Sequence, residues 1–265
     1  MNTHEQIRKY LDEEGIVERS TEEVDEIINR DLPGFPERFD RVAEDYESHI
    51  ISPSELYDLT ATRLNGMTVY DYFKSRSRKG VEWTLRNIIG LNPGEENRVL
   101  DVGCGTGLES VFLAEMFRQW EAKGIDVSGK MVEAARARAT KRNVTNTEFS
   151  VADRDEVDFK DEFDLLLCLH SINEGHYFFD EASLNHVLVR RLERFRTALR
   201  DGGKVALTVP IFDPTNFAEG YLDYQKDRMS YILEAAGFND TSTDFFQIKK
   251  PGFDMNYLFL SGVAN

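Results

Sequence analysis

The apolar run Val99-Leu100-Asp101-Val102 breaks into Gly103-Cys104-Gly105-Thr106-Gly107, with glycines at alternate positions. With no side chains over such a turn, a ligand can come close to its backbone. The free N–H groups of the turn point at whatever lies above the strand's carboxyl end, which is how open α/β sheets hold nucleotides. The spacing is G-x-G-x-G. Leu108 stands where a dinucleotide fingerprint has its third glycine, and no G-x-x-x-x-G-K-[ST] run occurs. About 20 residues after the turn, Asp126 ends a second apolar run and can accept hydrogen bonds from ribose hydroxyls. Asp153 ends a third run, where a carboxylate can accept from the exocyclic amine of an adenine. A fourth run stops at His170, a side chain suited to taking or giving a proton near neutral pH.

Those residues require a set of strands that end together. Ala122 to Ile125 is short and apolar, Glu148 to Ala152 alternates, and Phe163 to Leu169 is a continuous apolar run suited to a sheet covered on both faces. A helix is expected from Leu108 to about Trp120, and a fifth strand over Lys204 to Val209. The alternation of strand and helix argues for a parallel sheet. A helix from about Gln225 stops at Gly237, and two last strands follow near Thr241 to Lys249 and Asn256 to Gly262. Residues 1 to about 90 read as mainly helical. Thr21 and Ser52-Pro53 start helices, Leu32-Pro33-Gly34 is a break, and another amphipathic stretch sets Phe39, Val42, Ala43 and Tyr46 on one side.

In this order the chain resembles the class I S-adenosyl-L-methionine-dependent methyltransferases. The matching pieces are VLDVGCGTG, GIDVSGKMVEAARARA, SVADRDEVDF, FDLLLCLHSIN, LRDGGKVALTVP and LEAAGF. The resemblance implies an α/β, doubly wound, seven-stranded, mostly parallel sheet of Rossmann-like form, with the last strand antiparallel beside the fifth. It implies a core over 93–265 and a helical N-terminal lid over 1–92. It also implies that Asp101, Gly103, Cys104, Gly105, Thr106 and Gly107 hold the methionine end of the cofactor. Asp126 would hold the ribose, Val127 or Met131 would pack on the adenine, and Asp153 with the backbone of Arg154 would read the adenine edge. In related enzymes the segment around Tyr46 often reaches the cofactor; the competing reading is a core tyrosine.

The acceptor should lie beyond the ends of the fourth and fifth strands, lined by residues from His170 to Tyr177 and from Ile211 to Tyr224. Methyl transfer needs mainly alignment, because the cofactor brings the methyl already activated. If the acceptor carries a proton to lose, His170 leads as a general base, followed by His176 and Glu174. A loop histidine is also ordinarily a hydrogen-bonded structural residue. Tyr70, Tyr72 and Phe73 form an aromatic cluster that either attracts a cation or simply builds the lid core. The basic stretch Lys74 to Lys79 is either a solvated helix end or the source of an arginine for the cofactor's carboxylate. Neither an Asn-Pro-Pro-Tyr-type tetrapeptide nor a magnesium-holding acidic cluster of the catechol type is recognisable, so metal-independent transfer to a metabolite is expected.

Composition sets bounds. The 265 residues are 41% hydrophobic and 30% charged, an ordinary globular balance. A net charge of −16 disfavours nucleic acid and anionic membranes as partners. No apolar run approaches membrane-spanning length, and the first residues have no apolar signal core, so a cytoplasmic protein with reduced Cys104 and Cys168 is expected. The expected partner is a small-molecule acceptor; oligomeric state is left open. Two alternatives stand beside methyl transfer: a non-methylating reaction such as cyclisation on the same cofactor, and a non-catalytic binding module.

Overall fold

The computed structural model describes residues 2–91, 94, 97–172, 181–212, 220–250 and 253–264. The N-terminal segment holds α1 (Thr3–Glu13), α2 (Thr21–Asp31), α3 (Phe35–Glu47) and α4 (Pro53–Thr60). A two-residue hairpin follows, β1 (Arg63–Leu64) and β2 (Met67–Thr68), and then α5 (Val69–Arg76) and α6 (Arg78–Gly90). Capping chemistry starts these helices. Ser20 and Glu23 form a reciprocal capping box at α2, one residue before the expected start at Thr21, and Ser52 with Glu55 does the same for α4, with Pro53 in its first turn. The hairpin turns on Asn65-Gly66, both with positive φ, a pair that favours two-residue hairpin turns and whose signal lay unread in the sequence.

The core runs β3 (Arg98–Val102), α7 (Leu108–Met116), β4 (Glu121–Asp126), α8 (Gly129–Arg142), β5 (Thr147–Val151) and β6 (Phe163–Leu169). It continues with α9 (Glu181–Ala198), β7 (Leu199–Phe212), α10 (Tyr221–Ala235), β8 (Phe238–Lys250) and β9 (Phe253–Ala264). The seven-stranded sheet has the order β5-β4-β3-β6-β7-β9-β8. Strands β5 to β7 are parallel, and β9 inserts antiparallel between β7 and β8. The chain leaves β3 toward β4 on one side and returns to β6 on the other, so the carboxyl end of β3 is the topological switch point where such sheets bind ligands.

Two large apolar clusters cover the sheet. One joins the N-terminal helices to it, with Ile7, Tyr10, Trp83 and Leu108 packed alongside Leu165, Leu167 and Phe259. The other packs α9 and α10 on the opposite face through Leu192, Phe195, Ile232 and Leu233. Helix α7 ends at Met116 rather than near Trp120, because Phe117 leaves helical geometry and its ring stacks on Trp120 at 4.2 Å. Cys104 and Cys168 are both buried and are not joined in a disulfide. Among the described residues no helix is long and apolar enough to cross a membrane.

Candidate active site

The glycine turn is built by hydrogen bonds to the end of the neighbouring strand. Gly103 and Cys104 both donate their N–H to the carbonyl of Ile125, at 2.8 and 3.0 Å. Asp126 then accepts the Gly105 N–H on Oδ2 at 2.8 Å and the Ser128 N–H on Oδ1 at 2.9 Å. Burial raises the pKa of Asp126, and those two backbone donors oppose the rise. A carboxylate accepts about four hydrogen bonds, so lone pairs remain for a diol in the crevice that Asp126 lines.

That crevice lies over the carboxyl ends of β3 and β4. Its walls include Gly103, Gly105, Asp126, Val127, Met131 and Asp153. Arg154 and His170 also line it. At Gly103 (φ +76°) a Cβ would stand 2.3 Å from Ser171 Oγ, so only glycine fits there. Gly107 serves a different purpose: a Cβ on it would meet Ala135 at 2.8 Å, so its bareness lets α7 approach α8. Asp153 caps the short turn after β5 by accepting the Asp155 N–H at 2.8 Å, and Arg154 donates to the Ser171 carbonyl at 2.5 Å. An acidic strand end, bare backbone, apolar Val127 and Met131 and a polar far end together suit an adenosyl group with its ribose at Asp126.

Other sequence-singled residues stand behind this wall. Cys104 is buried with Val111, Val132 and Phe149, and burial pushes its thiol pKa up. Thr106 turns its hydroxyl to Asp71 of α5 at 2.9 Å. Asp101 is 2% exposed and accepts the Ser110 hydroxyl; burial lifts its carboxyl to about 7. Tyr46, on α3, is not among the residues lining the crevice or the cleft beside it. His176 and Glu174 lie outside the described residues.

A second cleft of about 460 Å³ opens beside the crevice, large enough for a metabolite. Its walls include Phe39, Phe73, Val81, Pro210, Met255 and Tyr257. Most of these described walls come from the N-terminal helices and β9; of the two segments expected in the sequence, His170 lines the cleft, and 173–177 and 213–219 lie outside the described residues. The two cavities share three residues, Tyr57, Tyr70 and His170. Tyr57 carried a signal that went unread: it lies one helical turn after Pro53 on α4, and both face the crevice. Asp58 beside it accepts the Ser128 hydroxyl at 2.6 Å and so docks α4 on the start of α8.

His170 has a left-handed backbone (φ +64°), fixed by its N–H donating to the Thr208 carbonyl at 3.0 Å. Its ring meets the edge of Tyr257 at 5.1 Å. Burial, aided by the nearby Lys74 ammonium, lowers its pKa to about 4, so the imidazole is neutral at physiological pH. The basic stretch is paired internally. Lys74 holds both oxygens of Glu109, at 2.7 and 2.9 Å, and Arg76 meets Asp25 at 2.5 Å. Arg78 is tied to Glu82 and Asp12, away from the crevice. Among the described residues no group of three or more His, Cys, Asp and Glu is placed to hold a metal ion.

The sheet order and the crevice at its switch point define a nucleoside-binding α/β enzyme fold. Residues 99–203 match the family model for a methyltransferase domain, which supports the resemblance to the class I S-adenosyl-L-methionine-dependent methyltransferases. Among curated relatives it is 33% identical over 146 residues to aklanonic acid methyltransferase DauC of Streptomyces sp. (strain C5), covering 53% of this chain and 62% of that one. It is 26% identical over 165 residues to malonyl-[acyl-carrier protein] O-methyltransferase of Acetivibrio thermocellus, covering 62% of this chain and 53% of that one. The chain therefore spans less than two thirds of either relative. Similar solved structures include Haemonchus contortus phosphoethanolamine N-methyltransferase 2 in complex with phosphomonomethylethanolamine and S-adenosylhomocysteine. That match has a TM-score of 0.52 and 18% identity, covering 68% of this chain and 52% of that one. A putative sarcosine dimethylglycine methyltransferase from Galdieria sulphuraria matches with a TM-score of 0.51 and 11% identity, covering 73% of this chain and 88% of that one.

Proposed function

We propose that the protein moves a methyl group from S-adenosyl-L-methionine to an O, N or C atom of a small-molecule acceptor, without a metal ion. The observation that carries this reading is that two cavities, one suited to an adenosyl group and one metabolite-sized and apolar, meet at Tyr57, Tyr70 and His170. When bound, the cofactor supplies a methyl group already activated on a sulfonium. Asp126 would hold the ribose, Val127 and Met131 would flank the adenine, and Asp153 with the Arg154 backbone would read its edge. The backbone at Gly103 and Gly105 would receive the methionine end. Asp101, Cys104, Thr106 and Gly107 would act from behind the wall by shaping the turn.

The protein's work is then alignment and exclusion of water. Holding acceptor and donor in line is worth ~7–11 kcal/mol. The N-terminal segment, 1–92, serves as the lid, because α4 and α5 bring Tyr57 and Tyr70 to the junction. His170, neutral and fixed, orients the acceptor by a hydrogen bond. A base as weak as one with a pKa of about 4 takes little part in pulling protons from alcohols or ammonium groups. Two of the relatives' names, which concern aklanonic acid and phosphoethanolamine, support a metabolite as acceptor, and the acidic net charge of −16 argues against nucleic acid. A cytoplasmic enzyme is part of the same reading.

Incubation with methyl-labelled cofactor and a metabolite extract tests it. Label appearing in a low-mass product is expected. Cofactor binding with no labelled product, or a product changed without gain of a methyl group, would overturn methyl transfer in favour of a binding module or a cyclase.

A further inference from the structure

Among its described walls, the second cleft has an unusual charge for this protein. The chain carries −16, yet the described residues lining the cleft include Lys74 and Arg76 and no carboxylate. The partners of both cations, Glu109 and Asp25, are not among the cleft's walls. Lys74 spends two N–H groups on Glu109 and has a third to offer. A group in the cleft therefore meets the cations before it meets their partners.

We infer that the acceptor is an oxyanion on an apolar, ring-sized body, a carboxylate or an ionised phenol, received by Lys74 and Arg76 with its rings among Phe39, Phe73 and Tyr257. The inference rests on the proposed methyl transfer and narrows its acceptor. The obvious rival is a cationic amine drawn to the aromatic walls. Two of those faces already have cations: the Lys74 ammonium lies 5.3 Å from the Tyr70 ring centroid and the Arg76 guanidinium 4.7 Å from that of Phe73. A third positive charge there would meet repulsion. An amine would also arrive protonated, with His170 too weak a base to accept its proton. An oxyanion has no proton to lose. Its oxygen lone pair takes the methyl carbon, the carbon–sulfur pair stays on sulfur, and an ester or ether results.

Calorimetry at about pH 8, where carboxylates are ionised and alkylammonium groups charged, tests this. The probes are 2-naphthoate, an ionised nitronaphthol, methyl 2-naphthoate and naphthylmethylammonium, each titrated with and without saturating S-adenosyl-L-homocysteine. At least one anion is expected to bind about tenfold or more tightly than the ester and the ammonium, the worth of one charge-assisted hydrogen bond. The tighter of the two anions identifies the acceptor as acid or phenol. Arg76→Gln, and the paired change Lys74→Met with Glu109→Gln that leaves no buried charge alone, are each expected to erase most of that preference. Melting by circular dichroism confirms that the variants fold. Equal or tighter binding of the ester or ammonium, no binding by any probe, or an unchanged preference in both folded variants overturns the inference. Failure of S-adenosyl-L-homocysteine itself to bind is the separate result that removes the proposed function.

Discussion

Asp71, on α5, accepts the Thr106 hydroxyl at 2.9 Å, so a helix of the N-terminal segment is bonded directly to the glycine turn. Its other oxygen takes Arg138 Nη2 at 3.0 Å, and Arg138 Nε reaches Glu14 of α1 at 2.9 Å. Arg138 also donates to the Thr106 carbonyl. All of these side chains are buried. Burial alone would raise the Asp71 pKa, but Arg138 and Lys74 outweigh it and hold the carboxyl below its usual value.

Removing Asp71 leaves Arg138 buried with Glu14 as its remaining carboxylate within the core. Breaking a buried pair in this way costs about 3–5 kcal/mol. Asp71→Ala is therefore expected to lower unfolding stability by that order in urea, and to weaken cofactor affinity because the turn loses its anchor. Unchanged stability and affinity would show that the clamp carries neither.

Asp101 titrates near 7 in the folded protein against about 3.8 in a free chain, because burial opposes its charge. Between those values the folded state keeps a proton that the unfolded state has released, so this group withdraws stability as pH rises from about 4 through about 7. Asp101→Asn imitates the protonated form and keeps an acceptor for Ser110. The variant is expected to gain on the wild type across that window, by up to ~4 kcal/mol at about 1.36 kcal/mol per pKa unit. Parallel stability profiles from pH 4 to 8 would contradict the shifted pKa.

His170 has the opposite linkage. Its pKa falls to about 4 from 6.5, so between these values the unfolded chain holds a proton that the folded one does not. Stability is then expected to fall as pH drops from about 6.5 toward 4, and His170→Asn, which tolerates the left-handed backbone, removes that slope. The His170 ring resonances in NMR should show no titration near 6.5. A midpoint there would restore the case for a general base.

The strand ends were legible in the sequence, because apolar runs stop at Asp126, Asp153 and His170 and a parallel sheet brings such ends together. The last strand's antiparallel place followed from resemblance. Which way a side chain faces within the turn was not legible. Left-handed backbone at Gly103, Gly105 and Gly107 sends Thr106 toward α5, while Cys104 packs among Val111, Val132 and Phe149 behind the wall. Nor could periodicity show which helices of the N-terminal segment reach the site. An amphipathic pattern marks the buried face without naming what buries it, so the sequence draws attention to Tyr46 and not to Tyr57, although of the two it is Tyr57 that lines the junction.

Titration calorimetry of S-adenosyl-L-homocysteine into the wild type and Asp126→Asn tests the central claim most directly. The amide offers one acceptor oxygen where the carboxylate offers two, and its NH2 opposes a backbone N–H from Gly105 or Ser128. One-to-one saturable binding is predicted for the wild type, about tenfold or more weaker in the variant, with no heat from NAD or ATP. Absence of saturable binding, or equal affinity in the two proteins, would contradict an adenosyl site tethered at Asp126.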